Sequence, residues 1–233
     1  MENLINELVA SLELYKEVRY EKYTAHVLET SMRVIGLKAQ NMRVVLKALR
    51  EKTVNWPKPE KLLLAHKLID TNFLECQMMA FEYLAKDKKL FNLLTEADLD
   101  GLNKKLDNWC SVDTYSLYLM GPAWRTGIVN DEKIRNYLQS ENVWQRRIAV
   151  VSTVALNLKS QGGTGDVKRT LDICKRVVED YDDMIVKALS WALRELSKRE
   201  KEAVQEFIDR YDEVLHKKVL KEVTHKLVFG TKN

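Results

Sequence analysis

Trp109 and Asp113 stand four residues apart in the stretch DNWCSVDTYS, which runs from Asp107 to Ser116. On a helix, that spacing places an indole and a carboxylate on one face, one turn apart. Leu117 and Met120 follow on the same partly apolar sector. A carboxylate held against an aromatic ring in a partly dry setting can stabilise a cation or activate a water molecule. It can equally cap a backbone group or pair with an arginine such as Arg147.

Two further residues depart from the pattern of their segments. In DMIVKALSWALRELSKRE, Ile185, Val186, Leu189, Leu193 and Leu196 fall on one side of a helical wheel. Trp191 falls on the other side, among Lys187, Arg194 and Lys198. A tryptophan interleaved with cations is what a nucleic-acid surface presents, with charges for phosphates and a ring for sugar or base. The same ring can also pack on lysine stems or on a neighbouring helix. In ENVWQRRIAVVSTVAL, Arg147 projects into the apolar sector built by Val143, Ile148, Val150, Val151, Val154 and Leu158. A charge there is costly unless it is paired, so Arg147 meets either an internal carboxylate or an anion arriving from outside.

Other chemistry-bearing residues form weaker patterns. Arg43, Lys47 and Arg50 recur at helical spacing, as a solvated face or an edge for phosphate contacts would. His26, His66, His216 and His225 are scattered with no metal-ligand spacing, and no metal or cofactor is expected. Cys76, Cys110 and Cys174 form no CxxC pair, so they read as reduced, partly buried thiols of a cytoplasmic protein. The Gly-rich stretch KSQGGTGD (Lys159–Asp166) lacks a phosphate-binding signature and reads as a helix connector.

The elements that must position these residues are helices. Gly (8) and Pro (3) are scarce among the 233 residues, which argues against the many turns of an all-β chain. Apolar residues recur at helical period nearly end to end, and no segment alternates for long at period two. Strong helices start near Asn41, Phe73, Asn108, Asn142 and Asp183, a spacing of roughly 32 to 41 residues, as in two-helix solenoid repeats. Second helices lie between them at about Pro57–Ile69, Thr95–Leu106, Asp131–Leu138 and Gly165–Val178. Thr95, Asn130 and Ser140 supply start signals. The expected fold is an all-α solenoid of two-helix repeats, one domain over residues 1–233, curved with a concave basic face. The net charge of +4 decides little by itself, because its distribution matters more. The first twenty residues carry acidic side chains and no long apolar run, so neither a signal peptide nor a membrane span is expected.

Taken together, these segments resemble the AlkD-like DNA alkylation repair glycosylases, which are built of HEAT-like helical repeats. NWCSVDTYS resembles the family's W-x-x-V-D segment through Trp109, Val112 and Asp113. VWQRRIAV resembles its W-x-x-R-x-A segment through Trp144, Arg147 and Ala149. VKALSWALREL resembles its K-A-x-x-W-x-L-R segment through Lys187, Ala188, Trp191, Leu193 and Arg194, and RVIGLKAQNMR resembles its early G-[IV]-x-x-P-x-x-R stretch. The motifs run in order from about Met32 to Leu227. Two departures stand out: Cys110 follows Trp109 where the family has a second tryptophan, and the proline after the early glycine is absent.

The resemblance implies a monofunctional glycosylase that releases cationic N3- and N7-alkylated purines from duplex DNA without full base flipping and without a cofactor. By the same resemblance Asp113 is the catalytic carboxylate, and Trp109 and Trp191 are aromatic walls at the lesion. Arg147 holds the backbone nearby; on spacing alone, Lys187, Arg194, Lys198, Arg43 and Lys47 are candidates for further DNA contacts. A monomer is expected, since one groove needs no second copy. The other reading of the same residues is a non-catalytic HEAT-like module that binds DNA or protein.

Overall fold

Apolar residues repeating every three to four positions close into helices because that period brings them onto one stripe. The computed structural model describes residues 1–231, and among them the only strand-like pairing is an isolated bridge between Arg33 and Phe73. The chain forms two compact units, the first Met1–Tyr115 and the second from Ser116 onward.

The first unit contains α1 (Glu2–Glu13), α2 (Val18–Leu28), α3 (Ala39–Lys52), α4 (Lys58–Asp70), α5 (Leu74–Lys86), α6 (Lys88–Phe91), α7 (Glu96–Leu102) and α8 (Trp109–Tyr115). Within it α1 packs on α3, α3 on α5 and α5 on α8, while α4 fills a second layer against α5 and α7. The second unit opens with a π-helical turn (Ser116–Met120). It continues through α9 (Gly121–Thr126), α10 (Asp131–Tyr137), α11 (Val143–Asn157), a 3₁₀ turn (Lys159–Gln161), α12 (Val167–Lys175), α13 (Asp183–Leu196), α14 (Lys201–Tyr211) and α15 (Lys217–Phe229). Here α9 packs on α11, α11 on α13 and α13 on α15, with α10 and α12 laid against α11 and α14 against α15. Each unit thus has one row of successive long helices and a second layer behind it, the nearest-neighbour packing of a helical repeat protein.

The long helices begin where the apolar periodicity placed them, and side-chain caps mark the starts of several other helices. Thr95 forms a reciprocal capping box with Asp98 ahead of α7, and Asn130 accepts from the Lys133 N–H at 2.8 Å ahead of α10. Ser140 is not the cap of α11: Asn142 takes that place and accepts from the Trp144 N–H, while the Ser140 hydroxyl accepts from Asn142 N. The second-layer helices α7 and α12 are shorter than the periodicity suggested, ending at Leu102 and Lys175. Past those ends the apolar residues lie in turns, where Leu106 and Val177 are still buried.

From Arg147 to Asn157, α11 is buried on every side, which makes it the centre of the second unit. The Lys159–Asp166 connector leaves this helix and is pinned by arginines. Arg125 donates to Gln161 O at 2.9 Å, and Arg199 donates to Gly163 O at 2.9 Å. Among the described residues no helix is long and apolar enough to cross a membrane.

Candidate active site

Helix α8 starts at a side-chain cap. Asn108 Oδ1 accepts from the Ser111 N–H at 2.9 Å, and Asn108 O accepts from the Val112 N–H at 3.1 Å. The residue before the cap is clamped to a distant loop. Asp107 accepts from the Thr30 hydroxyl at 2.7 Å, the Ser31 hydroxyl at 2.7 Å and the Ser31 N–H at 3.0 Å. Burial pushes the Asp107 carboxyl up, but the hydrogen bonds from Ser31, Asn108 and Thr30 outweigh it and hold the group below the usual carboxylate range.

This clamp makes a pH prediction. A carboxyl with a folded pKa below its unfolded value stabilises the fold above about pH 3.9 and loses that contribution as pH falls through the folded pKa. Asp107→Asn should therefore lose less stability than the wild type between pH 5 and pH 3, read as urea midpoints. Equal losses would mean the clamp is not ionic.

Below the cap, α8 is anchored on its inner side. Tyr115 meets Phe81 edge-on at 5.4 Å and donates from its hydroxyl to Leu99 O at 3.1 Å. Cys110 sits at the margin of an apolar cluster of Leu28, Met32, Val34 and Leu74, with its thiol 3.5 Å from Met78 Sδ. The same helix carries the two residues singled out by spacing. Trp109 is 36% exposed and Asp113, one turn on, is half-buried. A rigid helix therefore presents an open indole beside a partly desolvated carboxylate.

The charge on Asp113 is felt next door. Burial, then the Asp113 and Glu75 carboxylates, push the Cys110 thiol up to about 12. Burial likewise raises Cys76 to about 12 and pushes Cys174 well up, so burial disfavours the thiolate at each of the described cysteines. Removing the Asp113 charge takes away a repulsion that disfavours the thiolate. In Asp113→Asn, Cys110 should react faster with a disulfide reagent at about pH 9, by several-fold at most because burial remains the larger cause. An unchanged rate would place Asp113 out of electrostatic reach.

The loop that receives Asp107 is itself tied to α5. The buried Glu75 accepts from the Ile35 N–H at 3.0 Å and the Gly36 N–H at 2.8 Å. Gly36 O in turn accepts from the Glu17 N–H at 2.8 Å, and Gly36 has φ +83°. Arg33 lies over the Phe73 ring at 3.9 Å and donates to Thr71 O at 2.8 Å. Spacing along one helix carried no signal for these long-range partners. The nearest hint was the Gly36 of the RVIGLKAQNMR stretch.

In the second unit the named residues have a different setting. Trp191 is half-buried on α13, more enclosed than an exposed stacking ring, because α13 is covered by α11, α12, α14 and α15. The cations beside it are engaged. Lys187 lies 2.5 Å from Asp183, whose carboxyl it holds below the usual range, and Lys198 lies 2.6 Å from Glu195. Arg194 donates to the Ser190 hydroxyl at 3.1 Å and lies 3.6 Å from Glu222. Arg147 is 5% exposed and donates to Met184 O, so its head reaches from α11 to the start of α13. Trp144 is half-buried. Trp124 is the fully buried tryptophan, donating to Asp131 at 2.8 Å beneath the Arg169 guanidinium. On α3, Arg43 and Lys47 are exposed, with Lys47 3.9 Å from Glu51. Among the described residues no group of three or more His, Cys, Asp or Glu is placed to hold a metal ion.

Comparison with known proteins gives this arrangement a context. Residues 5–227 match the profile of a family described as "DNA alkylation repair enzyme". A solved structure, "Predicted DNA alkylation repair enzyme from Enterococcus faecalis", is similar with a TM-score of 0.73 and 17% sequence identity. The likeness covers 92% of this chain and 97% of that one. At that identity, the likeness shows a shared fold. No curated protein matches the chain.

Proposed function

Because this chain belongs to the DNA alkylation repair enzyme family, we propose that it is a glycosylase. It releases cationic N3- or N7-alkylated purines from duplex DNA and leaves an abasic site. The observation that carries this reading is the capped turn of α8, which sets the half-buried Asp113 beside the open ring of Trp109.

The chemistry requires one carboxylate and no second acid. Alkylation at N3 or N7 makes the purine a cation, so it leaves as a neutral base when the C1′–N9 bond breaks and takes both electrons. No general acid is needed. Positive charge builds on the sugar, as in other glycosidic hydrolyses, and the Asp113 carboxylate stabilises it. Water adds to C1′, and Asp113 accepts the proton that this water loses. An indole face favours a cation, so Trp109 selects the alkylated base over its neutral parent. Trp191 is assigned the same preference. Such selection needs no deep base-flipping pocket, and the mode proposed is one without full flipping.

Arg147, Lys187, Arg194, Lys198, Arg43 and Lys47 are assigned to the DNA backbone. Arg43 and Lys47 are exposed, Lys47 with Glu51 at 3.9 Å, whereas Arg147 is buried and must be uncovered to reach a phosphate. Lys187, Lys198 and Arg194 must exchange carboxylate partners for phosphates, which lowers the net gain from each. The enzyme is proposed to act as a monomer in the cytoplasm, with both units forming a single repair domain.

The test is incubation of N7-methylated and unmodified duplexes with the protein, scored for free 7-methylguanine and for heat-labile abasic sites. Release from the methylated duplex alone supports the reading. Tight duplex binding without release of any alkylated purine overturns it, in favour of a binding module.

A further inference from the structure

A cleft of about 700 Å³ opens in the first unit, walled by residues from the ends of α3, α4 and α5 and from α6. It contains none of the residues assigned above. Its volume lies within the roughly 300–1,000 Å³ of small-ligand sites, far too small to admit a duplex. Six cations line it, Arg50, Lys58, Lys61, Lys86, Lys88 and Lys89, against one lining carboxylate, Asp87.

Part of this charge builds the walls. The buried Lys61 donates to Val54 O at 3.0 Å and to Asp87 at 2.7 Å. Lys58 donates to Leu93 O at 2.6 Å and to Asp98 at 2.8 Å. Arg50 donates to Lys86 O at 3.1 Å, so the carbonyl ends of α3 and α5 are already covered by cations. What is left over is positive. Lys86 is only 3.6 Å from one carboxylate, Glu82, and Lys88 and Lys89 are exposed with no ion pair among the described residues. The amino end of α4 adds to the field, because Pro57 gives it no side-chain cap. Besides the polar Thr53, Asn55 and Tyr83, the remaining lining offers an apolar wall: Trp56 is half-buried, and Val54 and Leu93 are exposed.

Free phosphate would need the cations but not the indole and apolar wall. A nucleotide strand uses both, with phosphates on the lysines and a sugar or base on the ring. We propose that this cleft is a separate contact for single-stranded nucleic acid, seating one or two nucleotides. Their phosphates lie on Lys86, Lys88 and Lys89, and a base or sugar lies against Trp56. The proposal rests on nucleic acid being the substrate but not on base release. It would let the protein hold a frayed or unpaired strand beside the duplex it repairs.

The experiment uses the full chain and a short labelled single strand with no alkylated base, followed by fluorescence anisotropy at several salt concentrations. The double variant Lys88→Gln/Lys89→Gln is compared with Lys168→Gln/Lys201→Gln, which removes the same charge from exposed sites on α12 and α14. Loss of two phosphate contacts should lower the slope of log affinity against log salt by about 1.4 in the first pair. Trp56→Ala should weaken binding about tenfold with the slope unchanged. An unchanged slope for Lys88→Gln/Lys89→Gln, or an equal drop in the control pair, overturns the proposal. So does inorganic pyrophosphate binding that depends on Lys88 and Lys89 when strand binding does not, since the cleft would then serve a small phosphate. The probe contains nothing to excise, so failure here is distinct from failure of the glycosylase reading.

Discussion

Asp113→Asn is expected to lower 7-methylguanine release by about 10²–10⁴-fold, the range in which a positioned carboxylate contributes as a base. The change keeps the shape of the side chain and removes its charge. Three consequences of that charge vanish together: stabilisation of the positive sugar, acceptance of the proton from water, and repulsion of DNA phosphates. The first two lower the rate. The third makes duplex affinity equal to that of the wild type or slightly tighter. Loss of rate with retained binding is therefore the signature of a catalytic carboxylate, while a fall in both together marks a folding defect. Cys110 provides an internal control, since its thiol senses the Asp113 charge. If thiol reactivity rises while base release stays the same, the charge has been removed and is not catalytic.

The second large effect is structural. Gly36→Ala should destabilise the protein by several kcal/mol and lower its Tm by about 10 °C. Two penalties act at once. Gly36 has φ +83°, a conformation that strains any residue with a Cβ. The added atom would also lie 2.2 Å from Glu21 N and 2.4 Å from Glu21 Cα, both backbone atoms that cannot swing away. The neighbourhood is tied on two sides, since Glu75 holds the Gly36 N–H and Glu17 N–H holds its carbonyl, so the chain has no cheap route around the clash. The same segment carries Thr30 and Ser31, which clamp Asp107 at the start of α8. Base release should therefore fall along with thermal stability. A melting curve that superposes on the wild type would show that the loop can relax.

Gly36 and Asp113 mark the boundary between what was legible in the sequence and what was not. The helical class, the starts of the long helices, the caps at Thr95 and Asn130 and the shared face of Trp109 and Asp113 all follow from local chemistry. Each depends on a period of 3.6 residues or on a side chain bonding a backbone group within one turn. Reading on a wheel also placed Arg147 among apolar neighbours, where the structure buries it. The wheel could not show how much of α13 its neighbours cover, so it left Trp191 between an open ring and a packed one, and the structure half-buries it. The partners of the cationic stripe were hidden for the same reason. Lys187 and Lys198 have carboxylate partners on the intervening turns of α13, and Arg194 lies near Glu222, a whole repeat away on α15.

By itself the sequence determined the secondary structure, the repeat rhythm and the pairing of an indole with a carboxylate, because these are set by residues close along the chain. Only the tertiary structure decided which cations are engaged, how Asp107 locks the start of α8 to residues 30 and 31, and that a basic cleft opens beside Trp56. Those features join groups tens of residues apart, and no local period encodes a distance that only packing creates.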